Sequence, residues 1–135
     1  MTLRTMPAMP HSPKPRPVFF NLAEIQLPVG ALTSITHRIT GVLLGLGVPF
    51  CIYLLDMSLQ DPSGFSQVMV LLDYLPVKGA LIVLTWALAH HMLAGVRHLL
   101  SDIDIGSQLP ASRRSAWLAN IGGLVVALLA AGALL

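Results

Sequence analysis

The 135-residue chain reads as an all-α integral membrane protein with three transmembrane helices in an up-down bundle. Two observations predict this. The first is composition: 55% of the residues are hydrophobic and only 10% are charged, against about 25% charged in ordinary soluble domains. A domain this small buries too little of its surface to hide that much apolar area from water. The second is the placement of the charges. They leave residues 39–55, 79–96 and 115–135 empty, gaps of 17, 18 and 21 residues, each near the roughly 20 that cross a bilayer core. The net charge of +2 does not suggest a nucleic-acid surface, because the basic residues flank the spans, where they set topology. A single cysteine, Cys51, lies inside the first gap. It permits no disulfide within the chain and reads as a small buried hydrophobe.

In chain order, residues 1–29 form a proline-rich tail and a surface segment. Six prolines in the first 30 residues, with Arg4, Lys14 and Arg16 among them, describe an extended basic tail that cannot pack. The length of apolar core that a cleavable signal needs is missing. Residues 30–135 form the membrane-anchor domain. The first span covers about 30–55; Gly41, Gly45 and Gly47 keep one side small so that a neighbour can approach, and Pro49 bends it. The D-P-S-G of Asp61 to Gly64 marks a turn, and Phe65 to Tyr74 predicts a short interfacial helix. The second span covers about 76–101. A polar connection containing Pro110 leads to the third, about 115–135, a packing helix with Gly122, Gly123 and Gly132. Arginines gather in the tail, at Arg38, at Arg97, and at Arg113 and Arg114, whereas the loop after the first span is acidic up to Lys78. The positive-inside rule then places the N-terminus in the cytoplasm and the C-terminus outside.

The second span carries the residues that cost most in lipid. In W-A-L-A-H-H-M-L-A-G-V-R-H-L-L-S-D, from Trp86 to Asp102, the side chains of His91, Gly95, His98 and Asp102 fall on one helical stripe. Polar residues inside a span mark a functional site by default. His91 lies eleven residues before Asp102, about 16 Å of helix rise. At that depth an imidazole must be hydrogen-bonded or must ligate a metal or haem. Gly95, one turn along, would leave a flat gap for a macrocycle. The chain offers no second histidine at that depth: His37 stands at the cytoplasmic end of the first span, and His90 points about 100° away from its neighbour. A bis-histidine site at His91 therefore needs a second membrane subunit, and a shallower pair of His37 with His98 ranks behind it. A second group, S-I-T-H-R at Ser34 to Arg38, puts Ser34 and Arg38 one turn apart at the membrane surface. A hydroxyl and a guanidinium there suit the carbonyl oxygen of a lipid-soluble quinone, and equally a lipid phosphate.

These residues together resemble the larger cytochrome b anchor subunit of succinate dehydrogenase, respiratory complex II. The resemblance rests on R-P-V at Arg16 to Val18, S-I-T-H-R-I-T-G at Ser34 to Gly41, P-S-G-F at Pro62 to Phe65, and H-M-L-A-G-V-R-H-L-L-S-D at His91 to Asp102. It implies that His91 is an axial ligand of haem b, with the other ligand supplied by a smaller anchor subunit. It implies that Ser34 and Arg38 line the ubiquinone site, and that His37, Arg97 and His98 stand near the haem propionates. Asp102 would orient His98 as an outer carboxylate. His90 departs from the pattern, since relatives often carry tyrosine there. The partners implied are a flavoprotein subunit, an iron–sulfur subunit and the smaller anchor, in a bacterial inner membrane. The chain itself would have no succinate chemistry. It would be the anchor of an oxidoreductase complex passing electrons from succinate to quinone. The rival readings are the anchor of a quinol:fumarate reductase and a non-redox three-span scaffold whose histidines are structural.

Overall fold

A computed structural model describes residues 26–135, and over that range the chain is helical with short turns. Four helices follow one another: α1 (Val29–Gln60), α2 (Pro62–Leu72), α3 (Leu75–Asp102) and α4 (Leu109–Leu134). Three of them, α1, α3 and α4, are long and apolar enough to cross a membrane. The chain is a multi-pass membrane protein, as the three charge gaps predict. The proline-rich tail and most of the surface segment lie outside the described residues.

The helices run past the predicted spans at several ends, and proline chemistry accounts for much of this. Pro28 is the extended residue that precedes α1, and its carbonyl accepts from the amides of Ala31 and Leu32 at 2.9 and 3.2 Å. Pro62, Pro76 and Pro110 each occupy the first turn of a helix, where a missing amide costs nothing. Pro110 therefore opens α4 instead of belonging to a connection, and α4 starts six residues before the predicted span. Pro49 lies within α1 and removes the amide that would bond the Gly45 carbonyl.

The predicted short helix is present as α2. Asp61 caps it: its Oδ1 accepts from the Gly64 amide at 2.7 Å and from the Ser63 hydroxyl at 2.6 Å. Gly64 packs directly on the Met57 carbonyl of the preceding helix, leaving no room for a Cβ. Past α2, Lys78 bonds Asp73 at 2.9 Å. The turn from α3 to α4 uses left-handed backbone at Asp104 (φ 60°) and Gly106 (φ 74°).

α3 is the central helix. It packs most extensively on α4 and also on α1, while α2 folds back on α1. The contacts are made by small residues: Ala87 and Ala94 of α3, Ala116, Ala119 and Gly123 of α4, and Thr33 and Thr40 of α1 are all buried. Large side chains such as Leu46, Leu118 and Leu129 point outward, each about 70% exposed. This inverts a soluble core. Lipid gives leucine no reason to hide, so close approach of small residues holds the helices together.

Candidate functional site

The histidines of α3 divide between two faces. His91, Gly95 and His98 face α1, and His90 faces α4, as a rotation of about 100° per residue requires.

On the α1 face, His91 Nδ1 lies 3.0 Å from the main-chain carbonyl oxygen of His37 and 3.2 Å from Thr40 Oγ1. The Thr40 hydroxyl itself donates to that carbonyl at 2.9 Å. A carbonyl only accepts, so Nδ1 carries the proton and donates it. In the neutral ring this leaves Nε2 as an unprotonated lone pair. The His37 ring stacks on the His91 ring, with centroids 4.0 Å apart and planes 12° from parallel, and it lies 5.3 Å from the His98 ring at 56°.

This corrects two expectations. His37 is not set apart in height from His91: the stacked rings put the two side chains at one level along the bundle. A face-to-face stack still cannot put two ring nitrogens on opposite sides of one metal, so His37 does not complete a site with His91. The gap beside Gly95 is also not left for a flat ligand. A Cβ at Gly95 would stand 3.4 Å from His37 Nε2, and one at Gly41 would stand 3.0 Å from His91 Cε1. At Gly41 the missing Cβ makes room for the His91 ring, whereas at Gly95 a Cβ would only touch His37. Among the described residues, no three His, Cys, Asp or Glu side chains are arranged to hold a metal ion. His91 Nε2 is the lone pair in this cluster that a hydrogen bond presets.

On the α4 face, His90 is fully buried. Its Nε2 is 3.0 Å from Asn120 Oδ1, which also receives the Thr33 hydroxyl from α1 at 3.2 Å. Three helices thus share one amide oxygen in the apolar interior. His90 Nδ1 has no partner. Arg97 belongs to this side too: Nε donates to Ser115 Oγ at 3.2 Å and an Nη to Ser112 Oγ at 2.9 Å, both on α4.

The structure therefore brings His37, His91 and His98 together and holds Arg97 apart from them. Asp102 is exposed at the end of α3, and no hydrogen bond joins it to His98. Ser34 is half-buried and Arg38 exposed, one turn apart on α1. Sequence reasoning missed Asn120, Thr33 and Thr40. Asn120 had a readable signal, for it is the lone polar side chain between Ser115 and the end of α4.

Known proteins resemble the chain over most of its length. The family model described as succinate dehydrogenase/fumarate reductase transmembrane subunit matches residues 12–131. The chain is 32% identical to a succinate dehydrogenase cytochrome b556 subunit of Coxiella burnetii, covering 85% of this chain and 93% of that one. It is 32% identical to the cytochrome b556 subunit of Paracoccus denitrificans, covering 84% and 88%. It is also 30% identical to the mitochondrial cytochrome b560 subunit of Mus musculus, covering 88% and 69%.

Proposed function

The chain belongs to the succinate dehydrogenase/fumarate reductase transmembrane subunit family, and on that premise we propose that it is the haem-binding membrane anchor of a succinate:quinone oxidoreductase. The observation that carries this is the hydrogen bond from His91 Nδ1 to the His37 carbonyl. Haem-ligating histidines need one nitrogen deprotonated and the other held by an acceptor, which fixes the ring and raises its basicity. His91 meets both needs with groups of its own chain. The haem, when bound, supplies a one-electron centre whose potential follows from its ligands and burial.

The remaining residues take supporting roles. The second iron ligand would come from a smaller anchor subunit, because among the described residues His37 stacks on His91 and His90 faces α4. His37 and His98 stand over the same stripe toward the start of α1 and are the donors nearest the propionates. Ser34 and Arg38, at the outer end of that face, donate to a carbonyl oxygen of ubiquinone. Arg38 has no partner of its own among the described residues. The flavoprotein and iron–sulfur subunits dock at this end, with the N-terminus in the cytoplasm of a bacterium and the C-terminus across the inner membrane. The family's name covers both reaction directions, and the three relatives described above, each named a succinate dehydrogenase subunit, favour succinate oxidation.

The test is a reduced-minus-oxidised spectrum of membranes expressing the whole complex. His91→Ala abolishes the b-type band while His90→Ala preserves it. A band that survives His91→Ala rejects the assignment.

A further inference from the structure

The face of α3 toward α4 carries a second feature, distinct from the histidine stack. Two cavities between α3 and α4 join at Arg97, Leu100 and Ser115, which line both. One, about 190 Å³, runs along the apolar flanks past Leu93, Val96 and Leu118. The other, about 100 Å³, opens toward the α3–α4 turn beside Ser101 and Gly106. Arg97 stands five residues before the end of α3, about 7.5 Å in, and Leu93 lies roughly 6 Å deeper. A polar head thus sits at interfacial depth, and an apolar slot leads inward from it.

The head is cationic and only half-satisfied. Arg97 uses two donors on neutral serine hydroxyls, out of five N–H groups. The Ser115 hydroxyl donates onward to the Ser112 carbonyl at 3.1 Å, so neither serine contact neutralises the guanidinium. Arg113 and Arg114 follow on α4, against the exposed Asp102 and Asp104, three positive groups to two negative. Among the described residues, the one ion pair is Lys78 with Asp73, at the other end of α3. A guanidinium at this depth is costly without an anion.

We propose that this groove binds an anionic phospholipid, its phosphate diester on Arg97 and Ser115 and one acyl chain in the slot between α3 and α4. A phosphate takes the guanidinium fork in two parallel charge-assisted hydrogen bonds. Basic pockets between membrane helices are suited to such head groups. The slot has the chemistry of a chain site, lined by leucine and valine. Arg97 is turned roughly 120° around α3 from His91, which separates it from any group ligated there.

The test uses the assembled complex in vesicles with photoactivatable phosphatidylglycerol or phosphatidylcholine. In the unaltered complex, phosphatidylglycerol labels the peptides containing Leu93, Val96 and Leu118, several-fold above phosphatidylcholine. Arg97→Gln lowers that labelling about tenfold, the loss expected for a charge-assisted hydrogen bond, and Arg97→Lys keeps most of it. Equal labelling by the two lipids in the unaltered complex overturns the proposal without reliance on any variant. So does undiminished labelling in Arg97→Gln. If that variant instead shifts the haem spectrum with labelling intact, Arg97 serves a propionate. Labelling that appears only when the smaller anchor is missing means that a protein surface covers the groove.

Discussion

At the scale of single residues, the side chains separate by what they are bonded to. His91 and Arg38 differ most. His91 is locked by its neighbours, and Arg38 is exposed with no partner among the described residues. An unpartnered arginine at a membrane surface costs little to remove from the fold, so its loss reports on ligand binding. Arg38→Ala lowers electron transfer to quinone about tenfold or more, as a lost charge-assisted hydrogen bond should, and spares transfer to a soluble dye. Equal loss of both activities would point to failed assembly instead. Thr40→Val removes the hydroxyl contact at His91 and leaves the carbonyl contact, so the b-type band persists with a shifted potential in a redox titration.

At the scale of elements, the helices depend on a few tight places. Asp61 ties the end of α1 to the start of α2. The hydrogen bonds from Ser63 and from the Gly64 amide hold its carboxyl below the ordinary value of 3.8. A folded value below the unfolded one means that the cap stabilises above 3.8 and weakens as pH falls through the lowered value. Hydrogen-exchange protection of the Gly64 amide should therefore be flat from about pH 8 to 5 and decline only below 3.8. Asp61→Ala removes it at every pH. Gly123 is the tight place between α4 and α3, where a Cβ would meet His90 Cβ at 3.0 Å and its Cα at 3.3 Å. Gly123→Val forces backbone apart and costs on the order of 1–3 kcal/mol, read as a lower Tm of the complex in detergent.

At the scale of the whole molecule, most large side chains face outward and the buried set is small residues. Such a chain relies on lipid and on other helices for its surroundings, and co-purification from native membranes should recover a second membrane subunit with two soluble ones. Recovery of the chain alone, with an intact b-type band, would contradict the shared site. The three spans were legible because lipid forbids charge over about 20 residues, a constraint each helix expresses in its own sequence. The separation of His90 from His91 was legible for a similar reason, since it needs only the geometry of one helix. The stacking of His37 on His91 was not. It depends on the relative height of α1 and α3, which neither helix encodes alone. The role of Asn120 escaped because an amide adds no charge, and charge was the signal that marked the other polar positions.

The acceptor for His91 is a peptide oxygen, and that has a consequence for genetics. No substitution at position 37 deletes a backbone carbonyl. A mutational scan would score the His37 side chain for its ring alone and register nothing for the contact that sets the imidazole's proton. His37→Ala should strip away the stack and leave the His91 Nε2 lone pair as it was. The part of the site that matters most to ligation is invisible to alanine scanning, and it is shielded from most point substitutions for the same reason.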